Sequence, residues 1–458
     1  MGYYLANNLT KMKPKSNKKI PQDDLFRMRL DNMLDLNHEL IKLSKLIDWD
    51  SLELEWGELF LSNKGAPAIR TRLIAGLHYL KHIHGLSDEA VVKGWVENPY
   101  WQYFCGEDYF QHKMPLHPTS MTKWRNRLGE AGSEKLLIET IKTGLKSKTI
   151  KPGSLKRVTV DTTVQEKNVA FPTDSKLLNK ARENLVKLAD KQGIQLRQNY
   201  NRIGPQFALM AGRYAHAKQF NRMRKMNKKL KSRLGRVVRD IERQLPDHSD
   251  GIQALFDTAL SQAKQLIAQE QKSKNKLYSL HAPEVECISK GKAHKPYEFG
   301  IKASIAVTNK EGFVIGAQSC PGNPYDGHTL KPQLQQVKKL TSVETEQCFV
   351  DRGYRGHGIK DIKVFISGQK RGVTRSIKAA LKRRSAVEPE IGHMKNEGRL
   401  GRCYLKGAVG DAINVVMVAA GHNLRKILNK LRLLWLKIFS SLIRNFITLS
   451  KPMVLNPA

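Results

Sequence analysis

Gln347-Cys348-Phe349-Val350-Asp351-Arg352-Gly353-Tyr354-Arg355-Gly356 is a short apolar run that ends in an acid and then turns through glycines. Arg157-Val158-Thr159-Val160-Asp161 repeats its first half earlier in the chain. Apolar, β-branched runs of this length read as strands. So do Tyr297–Thr308 and residues 313–318, joined by Asn309-Lys310-Glu311-Gly312 as a hairpin, and residues 362–367. Helical spacing covers residues 376–396 and 415–434, with a further helix placed at 330–340. Strand, helical block, hairpin, helix, strand, strand and helices together describe a mixed α/β sheet flanked by helices. Sites in such sheets form at strand ends, which is where this reading puts Asp161 and Asp351.

Outward from the strands the chain is helical. Residues 22–150 carry apolar positions at helical spacing over 25–47 and 68–80. Ser87 precedes Asp88-Glu89 as an N-cap, Asn98-Pro99 breaks that helix, and Pro118-Thr119-Ser120 opens a short one at 121–128. The second helix carries Lys123, Arg125 and Arg127. The pair reads either as a helix-turn-helix-like DNA reader or as an ordinary helical domain with a solvated basic face. Residues 175–277 form a helical block between the first strand and the hairpin. Within it, residues 212–243 hold twelve Lys or Arg against Asp240 and Glu242, including Arg222, Arg224, Lys228 and Lys231. Leu230, Leu234, Val237, Val238 and Ile241 give the same stretch an apolar stripe. One face is therefore expected to pack and the other to meet phosphates rather than only water.

Composition narrows the partner. The 458 residues carry 79 Lys and Arg against 42 Asp and Glu, a formal charge of +37, yet 40% of the chain is hydrophobic. A folded chain with that excess points to a polyanion, nucleic acid before an anionic membrane. Cys105, Cys287, Cys320, Cys348 and Cys403 stand singly, which argues against a disulfide framework or structural zinc and for a reducing compartment. The longest apolar run, near 412–421, falls short of a membrane span. Residues 433–447 carry Lys437 and Arg444 and read as an amphipathic helix. His78 and His82, at i, i+4, have no acid or thiol to complete a metal set and read as ordinary core or surface residues.

The two aspartates need a partner to do phosphodiester chemistry. Magnesium takes hard oxygen ligands, and two such ions can activate a water and stabilise a leaving oxygen. The helix at 376–396 offers the third acid. Arg384, Glu388 and Lys395 fall within about 40° of one another on a helical wheel, whereas Glu390 points about 140° from Lys395. Pro389 suits the first turn of a new helix, which places Glu388 at a helix junction and Glu390 toward solvent or that segment's N-terminal end.

Val160-Asp161-Thr162-Thr163-Val164, Lys290-Gly291-Lys292, Tyr297-Glu298-Phe299-Gly300, the segment Pro321-Gly322-Asn323-Pro324-Tyr325-Asp326-Gly327-His328-Thr329-Leu330 and the Asp351 segment, in that order, resemble a DDE transposase of bacterial insertion sequences, and more narrowly insertion-sequence family five. The closing motif of that group is Tyr, two residues, Arg, three residues, Glu, six residues, Lys; Arg384, Glu388 and Lys395 match it, and Leu381 stands where the Tyr would be. Glu97-Asn98-Pro99-Tyr100-Trp101-Gln102-Tyr103-Phe104-Cys105-Gly106 extends the likeness to the N-terminal zone. The resemblance implies an RNase H-like sheet with Asp161, Asp351 and Glu388 as catalytic metal ligands. Tyr354, Arg384 and Lys395 would be auxiliary. It further implies Mg2+ or Mn2+, two ions with DNA bound, cleavage at terminal inverted repeats, and strand transfer into target DNA by a homo-oligomer. The expected regions are a basic lead-in at 1–21, a helical DNA-binding domain at 22–150, the catalytic domain at 151–174 and 278–430, the basic insertion at 175–277, and a C-terminal amphipathic helix and tail at 431–458. A cytoplasmic, nucleoid-associated bacterial protein with no membrane partner is expected. The alternatives are a metal-dependent nuclease of the same fold and a decayed transposase that only binds DNA.

Overall fold

The computed structural model describes residues 28–57, 69–289 and 295–449, with side chains up to 433. The lead-in at 1–21, the Lys290-Gly291-Lys292 segment and the tail beyond 449 lie outside the described residues. The chain forms two compact units: residues up to 165 with those from 302 onward, and residues 166–301.

The first unit opens with α1 (Glu39–Leu46), α2 (Trp49–Gly57), α3 (Thr71–Ile83), α4 (Asp88–Glu97), α5 (Pro99–Phe104) and α6 (Thr119–Lys146). Ser87 starts α4, its Oγ accepting from the Ala90 N–H at 3.1 Å. Asn98 Oδ1 caps α5 by accepting from the Trp101 N–H at 3.2 Å, with Pro99 in the first helical position. α6 begins as the short helix expected and kinks at Gly129, whose φ of 60° and ψ of −160° are open to glycine alone.

Strand β1 (Arg157–Glu166) leads into α7 (Asp174–Lys191), α8 (Ile203–His216), α9 (Phe220–Gln244), α10 (Asp250–Ala268) and β2 (Glu286–Ser289) of the second unit. β3 (Tyr297–Thr308) returns to the first, followed by β4 (Val314–Cys320), α11 (Asp326–Thr341), β5 (Gln347–Val350), β6 (Lys363–Ile366), α12 (Arg375–Arg384), α13 (Val387–Asn396) and α14 (Gly407–Leu449). The sheet runs β2-β3-β1-β5-β6, with β4 also on β3. β5 lies parallel to β1 and β6 parallel to β5, while β2 and β4 are antiparallel to β3. The α/β class read from the sequence is present as a mixed sheet. β2 escaped the sequence reading because its four residues bury only Ile288.

Two expectations change. The zones at 415–434 and 433–447 are one helix, α14, since no capping or breaking residue separates them. Its apolar run is the core of the first unit: Ile413, Val415, Val416, Val418 and Ala420 are all buried. The N-terminal helices have no separate core either, because Trp56, Tyr79 and Trp95 belong to the same buried cluster as Val158, Val160 and Phe313 of the sheet region. Asn423 of α14 binds the β4 backbone on both sides, accepting from the Val314 N–H at 2.9 Å and donating to its C=O at 2.8 Å. Gly421 lets α14 touch the α3 backbone, since a Cβ there would lie 2.6 Å from the His82 carbonyl.

In the second unit, Leu230, Leu234, Val237, Val238 and Ile241 of α9 are buried with Leu178 and Leu185 of α7 and Phe256 and Leu260 of α10. The expected apolar stripe is thus the core of that unit.

Arg125 overturns part of the DNA-reader expectation. It is 5% exposed and grips Asp88 of α4 with both guanidinium nitrogens, at 2.9 and 2.5 Å, while Lys81 of α3 approaches the same carboxylate at 2.7 Å. Burial pushes the Asp88 carboxyl up, but Arg125 and Lys81 outweigh it and hold it well below the carboxylate range. Burial also lowers Lys81 to about 8. Lys81 still neutralises Asp88 when Arg125 is removed, so the loss is that of a two-pronged charge-assisted hydrogen bond and its packing. Arg125→Ala should therefore lose about 2 kcal/mol of stability in denaturant unfolding, whereas Lys123→Ala, at an exposed position, should stay within about 0.5 kcal/mol.

Candidate active site

β1 pairs with β5 only through residues 157–159 against 347–349. Carried two residues further, that register brings Asp161 level with Asp351, the residue directly after β5. Asp161 is therefore inside β1 and not at its end as expected, because β1 outlasts its parallel partner; the aspartates still meet at the carboxyl end of β5. Asp351 turns back to accept from the Gly353 N–H at 2.8 Å and so caps the tight turn Arg352–Tyr354.

Asp161 is only 16% exposed. Its Oδ1 accepts from the Thr162 N–H at 2.8 Å, and its Oδ2 lies 3.6 Å from Arg384 Nη1. Burial, with the charges of Asp351 and Glu388, pushes its carboxyl up to about 6 against the pull of Thr162 and Arg384. Arg384 ends α12 and also reaches Glu388 Oε1 at 3.4 Å. Glu388 stands in the first turn of α13, 66% exposed. The helix expected across 376–396 breaks at Ser385-Ala386, yet Arg384 and Glu388 stay partners across the junction. Lys395 lies in the last turn of α13.

Tyr354 is fully buried, and its hydroxyl has no hydrogen-bond partner among the described residues. Burial, followed by the charges of Asp161, Asp326 and Asp351, raises its phenol well above the usual value. Asp326 was quoted in a motif without a role. Its Oδ1 accepts from Thr162 Oγ1 and Lys302 Nζ, each at 3.0 Å. A Cβ on Gly353 would lie 3.1 Å from Asp351 Oδ1 and 3.2 Å from Asp326 Oδ2, so both carboxylates close on the one residue without a side chain. An acid opening a helix inside a quoted motif was the available signal for Asp326; its partner Thr162 is 164 residues away.

Of the two places expected for Glu390, solvent and the N-terminal end of its segment, it takes the second, in the first turn of α13 and half-buried. Its carboxylate sits against α14, bonded to His422 Nε2 at 2.8 Å and to Lys426. Burial pushes Glu390 up, but His422 and Lys426 prevail and hold it below the usual range. Glu390 is thus a structural ion pair. Lys123 is exposed and Arg127 half-buried. On α9, Arg222, Arg224 and Lys228 are exposed, while Lys231 is half-buried and donates to the Gln269 carbonyl at the end of α10, at 2.7 Å. His78 and His82 are buried within α3, and burial holds both well below their usual values.

Asp161 and Asp351 fit a hard divalent cation. Both offer oxygen donors, Asp161 carries a penalty for its charge that a cation relieves, and an unpartnered hydroxyl faces the acids. Among the described residues, no three acidic, imidazole or thiol side chains gather closely enough to hold an ion; Glu388 stands off against Arg384.

Residues 28–127 match the family model "Transposase domain (DUF772)", and residues 344–428 match "Transposase DDE domain". The second match spans Asp351, Arg384, Glu388 and Lys395; Asp161 lies between the two. An uncharacterized protein, ORF8 in the nfe locus of Rhizobium meliloti, is 50% identical over 199 residues, which cover 43% of this chain and 96% of that protein. No solved structure matches the chain. The DDE-domain match makes the chain an enzyme that acts on DNA. The chain belongs to the DDE transposases of insertion sequences, with DNA as its partner and transposition as its process. No helix among the described residues is long and apolar enough to cross a membrane.

The raised Asp161 carboxyl has a measurable sign. Between its ordinary value and about 6 the folded state binds more protons than the unfolded state, so stability falls as pH rises through that window. The penalty, on the order of 2–3 kcal/mol, is complete above it. Without divalent ions, Asp161→Asn should melt higher than wild type at pH 8, and the gain should shrink as pH falls below 6.

Proposed function

We propose that the protein binds the inverted-repeat ends of its insertion sequence and cuts and joins DNA there with Mg2+ or Mn2+, as a member of insertion-sequence family five with an RNase H-like sheet. The observation that carries this reading is the buried Asp161 beside Asp351 at the carboxyl end of a parallel strand pair, with Arg384 joining it to Glu388. In the first step water attacks a phosphodiester and the bond to the 3′-oxygen breaks. In the second, the freed 3′-hydroxyl attacks a target phosphodiester, forming one P–O bond and displacing the target's own 3′-oxygen.

Asp161 and Asp351 would hold the ions, and Glu388 would complete the set when Arg384 turns from the carboxylates to a DNA phosphate. Bound divalent ions supply Lewis acidity and a nucleophile of lowered pKa. Arg384 and Lys395 hold phosphates. The Tyr354 hydroxyl, buried near the acids and unpartnered among the described residues, would donate to one of them in the loaded site and fix its orientation. Asp326 takes no part in bond making; through Thr162 it sets the segment that carries Asp161, and Lys302 balances its charge. Work on paired ends requires a homo-oligomer on DNA in a bacterial cytoplasm. The outer cations, Lys123, Arg127, Arg222, Arg224 and Lys228, are placed to meet phosphates.

The test uses plasmid DNA carrying the element's own ends, with Mg2+ and then with EDTA. Cleavage should require the ion. Glu388→Gln should abolish cleavage and leave the melting temperature unchanged, because Glu388 is exposed. Glu390→Gln should retain cleavage while losing about 1–3 kcal/mol of stability, because the buried His422 and the half-buried Lys426 lose their carboxylate. The opposite pattern would assign the third ligand to Glu390 and defeat the proposed site.

A further inference from the structure

We infer that a pocket in the second unit seats one backbone phosphate of DNA, an inference that rests on the reading of this chain as an enzyme that binds DNA. Its walls are the loop 194–202 and the C-terminal half of α9. Arg236, Arg239 and Arg243 follow at i, i+3 and i+7 and share a helix face; Arg197 and Tyr200 line the same concavity of about 320 Å³.

The charge in the pocket is unbalanced. Asp240 is the one carboxylate in its lining, 6% exposed. Its Oδ2 accepts from the Arg197 backbone N–H at 2.8 Å, and its Oδ1 lies 3.4 Å from Arg243 Nη2. Arg236 donates only to Tyr200 Oη, at 3.4 Å. Arg239 has no carboxylate partner among the described residues. Four guanidinium groups thus converge against one buried acid. Like charges held together repel unless an anion joins them, and the guanidinium fork matches phosphate oxygens.

The loop is built to hold this arrangement. Arg182, 2% exposed, donates to the Asn199 carbonyl and to Asn201 Oδ1, each at 2.7 Å. Between those two residues Tyr200 is held at φ +56°, a left-handed conformation unfavourable for a tyrosine. Strain of this kind persists where surroundings enforce it, and it clusters at ligand sites. Here a buried arginine holds the chain on both sides of Tyr200, and a buried aspartate holds the loop backbone at Arg197, whose Nε lies 3.9 Å from the same carboxylate. Lysines scattered on a solvated helix face would need none of this support.

A single seat makes a quantitative demand. Each neutralised phosphate contributes about 0.9 to the slope of log affinity against log salt. Several guanidinium groups on one phosphate must therefore act as one contact. The experiment measures anisotropy of a labelled duplex of arbitrary sequence with the full chain across a salt series. It compares wild type, the Arg236→Gln/Arg239→Gln double variant, Arg239→Gln alone, and an Arg222→Gln/Arg224→Gln/Lys228→Gln variant. All the substituted groups are exposed, and coincident unfolding curves check that the fold is intact. The double variant should lower the slope by about 1, weaken binding to every sequence alike, and exceed the single variant only slightly. A slope drop near 2 would mean independent contacts and overturn the single seat. An unchanged slope, with the Arg222 variant impaired, would place the phosphates elsewhere on α9 and also overturn it. A wild type that fails to bind the duplex even at low salt would instead sink the DNA-binding reading itself, and salt-independent binding would overturn the phosphate seat.

Discussion

Helix α14 is the constraint on which the first unit depends. Its stretch 412–420 is buried on every side, which is stable only inside a core, and burying it sets its neighbours. Asn423 fixes it to β4. Asn414 donates to Gln165 at the end of β1, at 2.7 Å. His422 and Lys426 hold Glu390 of α13. The strand that carries Asp161 and the helix that carries Glu388 are therefore referenced to one rod. The acids are placed by contacts that none of them makes.

Charge is used in two opposite ways. Arg125 and Asp240 are buried, Glu390 is half-buried, and all three are matched to opposite charges. The cations of α9 are mostly exposed and unmatched, which suits an approaching polyanion. Asp161 belongs to neither set. It is buried like the first and underpaired like the second, which is the electrostatic condition for a group that awaits a ligand.

The sequence revealed elements whose cause is local. The caps at Ser87 and Asn98, the hairpin at Asn309–Gly312 and the stripe of α9 depend on neighbours within one or two turns. The candidate acids were singled out by signals that are local too, Asp161 and Asp351 by short apolar runs and Glu388 by its spacing to Arg384 and Lys395. Misread features had distant causes. Arg125 looked like a DNA contact because its partner Asp88 is 37 residues back. Glu390 gave no sign of its ion pair because His422 is 32 residues on. The end of β1 was misjudged because β5, not β1, determines where the parallel pairing stops. Asp326 had no visible role until Thr162 and Lys302 were brought to it.

The same long reach shapes how the chain is made. β1 leaves the ribosome before the second unit, and its parallel partner β5 comes after it. Asn423 meets Thr140 across 283 residues of chain, and Arg432 meets Glu39 across 393. The second unit, whose core is drawn from its own contiguous helices, can close while synthesis continues. The first unit cannot: its early helices must wait with their apolar faces uncovered until α14 arrives. Pairing over such separations is slow, and exposed intermediates aggregate. A chain halted before α14 would thus hold a finished cationic unit and an open core, so synthesis of the last core helix is the step that separates a folded enzyme from a sticky fragment.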